Sequence, residues 1–120
     1  MKPLNMEAEL LKHVLRKPVT VLYPFEPSPP AEGLRGRPHI DMRKCIGCGL
    51  CARGCPSHAL EMEGRKDEAT FRIHLDRCLF CGQCARSCPK EAVELTPDFE
   101  LATTDRERLV LHFDRACQEA

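Results

Sequence analysis

Residues 45–56 read Cys-Ile-Gly-Cys-Gly-Leu-Cys-Ala-Arg-Gly-Cys-Pro, and residues 78–89 read Cys-Leu-Phe-Cys-Gly-Gln-Cys-Ala-Arg-Ser-Cys-Pro. Eight of the nine cysteines lie in these two runs, each spaced Cys-x-x-Cys-x-x-Cys-x-x-x-Cys-Pro. Iron–sulfur clusters of the 4Fe-4S type are held by four thiolates, and in this spacing the fourth cysteine of each run ligates the other cluster. The pattern therefore predicts two [4Fe-4S] clusters. Cys45, Cys48, Cys51 and Cys88 are the expected ligands of the first, and Cys78, Cys81, Cys84 and Cys55 of the second.

Two other uses of so many thiols fit less well. Zinc accepts four cysteines in a tetrahedron, commonly from paired Cys-x-x-Cys knuckles far apart in sequence. Here each run places three cysteines in one short loop, which suits three corners of a cubane. A disulfide framework belongs to small secreted chains. The chain opens MKPLNMEAEL, without an apolar signal segment, and three closely spaced cysteines per loop cannot all be bridged.

The runs are part of an internal repeat. Ile40 to Met62 overlays Ile73 to Leu95 at an offset of 33 residues, with 11 of 23 pairs identical, Ala52/Ala85, Arg53/Arg86, Ala59/Ala92 and Glu61/Glu94 among them. Two halves that exchange their fourth ligand must fold together, so metal binding and folding are coupled. Ile40 to Met42 and Ile73 to Leu75 read as short strands entering the cluster loops. Leu50 to Gly54 and Gln83 to Ser87 read as short helices, each stopped by the proline after the fourth cysteine. Ala59 to Glu63 and Thr70 to Leu75 suit a hairpin around the polar turn at 64–68. Gly47, Gly49 and Gly82 would let backbone amides approach inorganic sulfur. Ile46, Leu79 and Phe80 are expected either to shield the clusters or to serve as ordinary core. The expected class is α+β, a 2×[4Fe-4S] ferredoxin-like fold with a pseudo-twofold βαβ repeat over 38–97 and extensions at both ends.

No catalytic constellation stands out. His13, His39, His58, His74 and His112 are scattered, and only His58, three residues after Cys55, is close enough in sequence to tune a cluster. All eight repeat cysteines are consumed as ligands, which leaves no open iron site for a substrate. The reading is a non-catalytic electron-transfer protein, with cluster potentials anywhere from about −700 to +450 mV.

The flanks are longer than a minimal carrier needs. Residues 1–37 combine a helix expected over Glu7 to Lys17 with a proline-rich stretch between Pro18 and Pro30. Leu10, Leu11, Val14 and Leu15 share one face of that helix, which suits a membrane surface, a partner, or this protein's own core. It is too short and too charged to span a bilayer. Tyr23 and Phe25 are candidate anchors on another subunit. In residues 98–120, Thr104-x-x-Glu107 reads as a capping box opening a helix through about Gln118, with Leu109, Leu111, Phe113 and Cys117 among its apolar residues. Cys117 has no partner in the repeat and reads as an ordinary thiol.

Charge is balanced, 18 basic against 18 acidic residues. Two clusters with their thiolates make the loaded core mildly acidic, whereas freely diffusing ferredoxins are commonly far more acidic. The balance favours a fixed component over a shuttle. No basic stripe and few aromatic residues are present to bind nucleic acid.

Beyond the cysteines, Tyr23-Pro-Phe-Glu-Pro27, Arg35-Gly-Arg-Pro38, Cys45-Ile-Gly-Cys48, Cys55-Pro-Ser57, Cys78-Leu-Phe-Cys-Gly82 and Thr96-Pro-Asp-Phe-Glu-Leu-Ala102 resemble one family over nearly Pro18 to Ala102. It comprises the ferredoxin-like subunits of membrane-bound group 4 [NiFe]-hydrogenases and formate hydrogenlyase, and is similar to the 2×[4Fe-4S] subunit of respiratory complex I. The resemblance implies a peripheral subunit on the cytoplasmic side of the cell membrane, with no transmembrane segment of its own. Its partners would be the hydrogenase small and large subunits and a membrane arm. Electrons would come from ferredoxin or a formate dehydrogenase module. The helix at Glu7 to Lys17 would help attach the arm near the membrane. A complex I type arm, whose counterpart usually has a longer N-terminal region, a sulfur-reducing relative, and a free soluble ferredoxin are the alternatives.

Overall fold

Residues 70–75, Thr-Phe-Arg-Ile-His-Leu, alternate polar and apolar side chains, the period of a strand with one buried face. In the computed structural model, which describes residues 5–114, they form β3 (Thr70–His74), with Phe71 and Ile73 fully buried. The preceding strand β2 (Leu60–Glu63) pairs antiparallel with β3, Leu60 opposite Ile73 and Met62 opposite Phe71. Gly64 turns the chain at φ 76° and a short 3₁₀ turn (Lys66–Glu68) completes the expected hairpin. A second antiparallel pair joins β1 (Pro38–Ile40) to β4 (Val93–Leu95).

Each strand pair links one half of the repeat to the other. Between β1 and β2 lies the one-turn helix α2 (Leu50–Arg53), and between β3 and β4 lies its counterpart α3 (Gln83–Arg86). The backbones agree closely. Gly49 precedes α2 at φ 71°, ψ 9°, and Gly82 precedes α3 at φ 73°, ψ 10°. His58 and Glu91, also 33 residues apart, share positive φ values of 49° and 48°. Ile40, Met42, Leu60, Phe71, Ile73, Leu75 and Val93 from both halves meet in one buried cluster, which Cys51, Ala69 and Leu111 complete.

The C-terminal segment corrects the sequence reading. In place of a helix from Thr104, a 3₁₀ turn (Arg106–Leu109) leads into β5 (Val110–Phe113), which adds to the free edge of β3. The cap is Asp105, whose carboxylate accepts from the Glu107 amide, and not Thr104. Val110 and Phe113 favour a pleated surface, and β3 offers an unpaired edge on which Leu111 becomes buried opposite Ile73. The same alternation over a few residues matched a helix face only loosely. The end of the expected helix, including Cys117, lies outside the described residues.

The N-terminal region is joined to the core near residue 36. Amides of Gly36 and Arg37 donate to the carbonyls of Thr96 and Asp98, and the Thr96 amide donates back to Arg37, extending the β1–β4 pairing. Helix α1 (Asn5–Val14) starts and ends slightly before the expected span. Its apolar residues face outward, with Leu10 62% and Val14 80% exposed, so it does not pack on the core. Val19 and Phe25 are exposed as well. Tyr23 is held back on the body by Glu100, to which its hydroxyl donates, and by Phe99, whose ring centroid is 6.3 Å away. Among the described residues no helix is long and apolar enough to cross a membrane.

Candidate iron–sulfur centres

The eight repeat cysteines separate into two groups, and each group takes one member from the other run. Cys45, Cys48, Cys51 and Cys88 line one narrow pocket together with Ile40, Ile46, Phe71 and Val93. Cys45, Cys48 and Cys88 also crowd the Cys51 thiol electrostatically. Cys55 stands apart from these, close enough to Cys78 and Cys84 to disfavour their ionisation, with Cys81 beside Cys78. Geometry explains the division. Cys51 opens the turn of α2 while Cys55 follows its end at Gly54, about 6 Å further along a helical axis. The two thiols are thereby handed to opposite ends of the turn. Helix α3 repeats this with Cys84 and Cys88.

The close approach of α2 and α3 depends on small residues. A Cβ at Gly54 would stand 3.1 Å from the Leu50 carbonyl and 3.2 Å from the Ser87 hydroxyl. Gly47 is tighter still, because a Cβ there would lie 2.7 Å from both the amide and the carbonyl of Lys66. Its positive φ of 65° points its amide at the Cys45 sulfur, 3.4 Å away. At the matching place in the second run Phe80 adopts φ 50° and its amide meets the Cys78 sulfur at the same 3.4 Å. The Ala92 amide reaches the Cys88 sulfur at 3.3 Å. Amides directed at thiolate sulfur favour the charged form and tune a bound cluster.

Burial opposes that charge. It pushes the Cys51 thiol up to about 11, with the neighbouring thiols adding to the effect. Burial likewise raises Cys78 and Cys84. At Cys55 burial is outweighed by the Ser57 hydroxyl and by the amides of Ser57, Ala59 and Leu60, leaving that thiol below its ordinary value. Deprotonated together, as cluster ligands must be, such crowded thiolates call for a cationic metal to neutralise them.

A [4Fe-4S] group fits both sets: four soft sulfur donors in each, and the backbone amides of Gly47, Phe80 and Ala92 aimed at sulfur. A single ion fits less well. Zinc–sulfur bonds are about 2.3 Å, and among the described residues no three His, Cys, Asp or Glu side chains converge on one ion.

Some contributors were missed in the sequence. Asp41 organises the entry to the first loop. Its carboxylate accepts from the Arg43 amide at 3.0 Å, and its carbonyl accepts from Lys44 and Cys45. The Arg43 amide, partly offset by burial, holds the Asp41 carboxyl below its usual range. The signal was available as an Asp-x-Arg turn. Ser57, 3.6 Å from the Cys55 sulfur, is the second. Of the expected shielding residues, Ile46 lines the first gap and Phe80 packs on the core, but Leu79 is 66% exposed. His58 is exposed.

Residues 44–92 match the family described as 4Fe-4S dicluster domain. Over 107 residues the chain is 49% identical to NAD(P)H-quinone oxidoreductase subunit I of Synechococcus sp. (strain JA-2-3B'a(2-13)), covering 83% of this chain and 51% of the relative. Over 104 residues it is 47% identical to the subunit of the same name from Prochlorococcus marinus (strain AS9601), covering 81% and 50%. The chain thus spans about half the length of the curated relatives it matches. Among solved structures it resembles a chain of the membrane-bound sulfane sulfur reductase, an archaeal respiratory membrane complex. That match has a TM-score of 0.67 and 34% identity, over 89% of this chain and 57% of the other. The dicluster-domain match and these relatives together make the chain a protein of two [4Fe-4S] clusters, similar over most of its own length to NAD(P)H-quinone oxidoreductase subunit I proteins.

Proposed function

We propose that this chain is an electron-transfer subunit in the peripheral arm of a complex I-like membrane oxidoreductase, on the cytoplasmic face. Cys45, Cys48, Cys51 and Cys88 hold one cluster, and Cys78, Cys81, Cys84 and Cys55 the other, in two halves related by a pseudo-twofold axis. The observation that carries this reading is the division of the thiols into two groups, each completed from the other run. A bound cluster accepts and releases one electron. The protein's part is to hold the two clusters at a set separation, exclude water with Ile40, Phe71 and Val93, and aim amides at sulfur. Neither proton transfer nor substrate chemistry is assigned to any residue.

Within that reading, the subunit I relatives favour an arm whose electrons end on a quinone. A sulfur-reducing arm is the second reading, supported by the structural likeness to the sulfane sulfur reductase, and the hydrogenase arm rests on the flanking motifs alone. Anaerobic purification of the tagged chain from its native membranes, with mass spectrometry of the co-purifying subunits, separates them. A large subunit carrying two nickel-binding Cys-x-x-Cys pairs selects the hydrogenase. A large subunit without them selects the quinone or sulfur arm, and turnover with quinone against polysulfide then divides those two. A lone brown soluble protein would overturn both readings in favour of a free ferredoxin.

A further inference from the structure

The turn that follows each fourth cysteine has the same backbone in both halves. Cys55-Pro56-Ser57-His58 is closed by the His58 amide, which donates to the Cys55 carbonyl at 3.2 Å, and Cys88-Pro89-Lys90-Glu91 by the Glu91 amide, which donates to the Cys88 carbonyl at 3.3 Å. Proline at the second position suits such a turn, and both turns end on left-handed backbone, at φ 49° and 48°. The next amide reaches the sulfur in each half, from Ala59 to Cys55 and from Ala92 to Cys88. With the backbones matched, the halves differ at the third position of the turn, where Ser57 stands against Lys90.

The two side chains serve their sulfurs differently. The Ser57 hydroxyl is 3.6 Å from the Cys55 sulfur, within hydrogen-bond reach of so large an acceptor, and the residue is half-buried. Lys90 lines the first pocket but is exposed, so solvent screens its charge. A ligating cysteine is a thiolate with no proton of its own, so in the loaded protein the hydroxyl is the donor. Reduction adds one negative charge to a cluster and its thiolates. A donor aimed at a ligand sulfur favours that more negative form and raises the potential.

We propose that the Ser57 hydroxyl sets the potential of the cluster assigned to Cys55, Cys78, Cys81 and Cys84, holding it above the value that the thiolates and amides alone would give. Ser57 acts through the Cys55 ligand, as a positioning residue, and the first cluster has a lysine at the matching place. The inference rests on the proposed ligand assignment. In the step the cluster gains one electron, the hydroxyl proton stays on Ser57, and no bond forms or breaks.

The test uses the full chain reconstituted with iron and sulfide, with iron content measured on each sample. Reductive titration followed by electron paramagnetic resonance reads the midpoint of each cluster, and Cys78→Ser identifies the signal of the second. In Ser57→Ala the reduced-to-oxidised ratio of that cluster, at the midpoint of the parent, is expected to fall about tenfold, which is about 59 mV for a one-electron couple. The first cluster should stay within about twofold of the parent ratio. Ser57→Thr keeps the hydroxyl and should restore the second cluster to within about twofold. An unchanged second cluster, equal shifts in both clusters, or a threonine variant that behaves like the alanine one would overturn the inference, because a serine that served only the turn leaves the potential alone. If Ser57→Ala takes up less iron than the parent, the isosteric pair Ser57→Thr and Ser57→Val carries the test, and only the valine variant should show the loss. A shift confined to the other cluster, or a parent chain that fails to take up two clusters, would sink the ligand assignment itself.

Discussion

Replacing Gly47 by alanine separates two costs that usually travel together. Gly47 and Gly49 both adopt left-handed backbone, at φ 65° and 71°. Placing a Cβ on such backbone costs about 1–2 kcal/mol at either site. Their surroundings differ. The new methyl at Gly49 meets the Met62 terminal carbon at 2.9 Å, a flexible end that can turn away. At Gly47 it meets the Lys66 amide and carbonyl, both at 2.7 Å, and Ala69 Cβ at 3.0 Å. Phe80 carries a full side chain at φ 50° in the matching loop, so the left-handed conformation alone is compatible with the cradle. The backbone collision is then the deciding term, worth about 1–3 kcal/mol by analogy with overpacked cores. If it is relieved as the loop opens, each 1.36 kcal/mol speeds opening about tenfold, so Gly47→Ala should release its cluster roughly 5 to 150 times faster than Gly49→Ala. The assay is decay of visible absorbance in excess chelator, with electron paramagnetic resonance identifying which cluster leaves first. Equal rates for the two variants, or first loss from the Cys78, Cys81, Cys84 set, would refute the argument.

Other outcomes follow from the same geometry. Cys55→Ser should damage the cluster of Cys78, Cys81 and Cys84 while Cys88→Ser damages that of Cys45, Cys48 and Cys51, read as loss of about half the iron with a different residual spectrum in each. Phe71→Ala, at the centre of the shared core with 1% exposure, should cost about 3–5 kcal/mol in denaturant unfolding followed by circular dichroism. Glu61 is held below its ordinary carboxyl value first by the Arg77 hydrogen bond and then by His74. A depressed folded value stabilises above the unfolded one and the gain disappears as pH falls through the folded one. Glu61→Gln should therefore lower Tm at neutral pH and converge with the parent in acid, and a constant difference across that range would contradict the pairing.

The cluster loops were legible in the sequence because their chemistry is written in spacing. Three thiols within seven residues, a fourth after one helical turn, and a proline to end that turn leave few other uses for the segment. The 33-residue offset sets Cys55 and Cys88 at matching places of a repeat, and the hairpin from Leu60 to His74 followed from alternation around a polar turn. The segment from Arg106 to Phe113 was not legible. Its four-residue strand exists because β3 has a free edge to accept it, a partner more than thirty residues away that local periodicity cannot reveal. The same holds for the difference between the two cluster edges. The sequence presents Cys48 and Cys81 as equivalents, yet Cys48 is exposed and Cys81 is half-buried, and only the long-range pairing of Gly36 and Arg37 with Thr96 and Asp98 brings Arg35 to the Cys81 carbonyl.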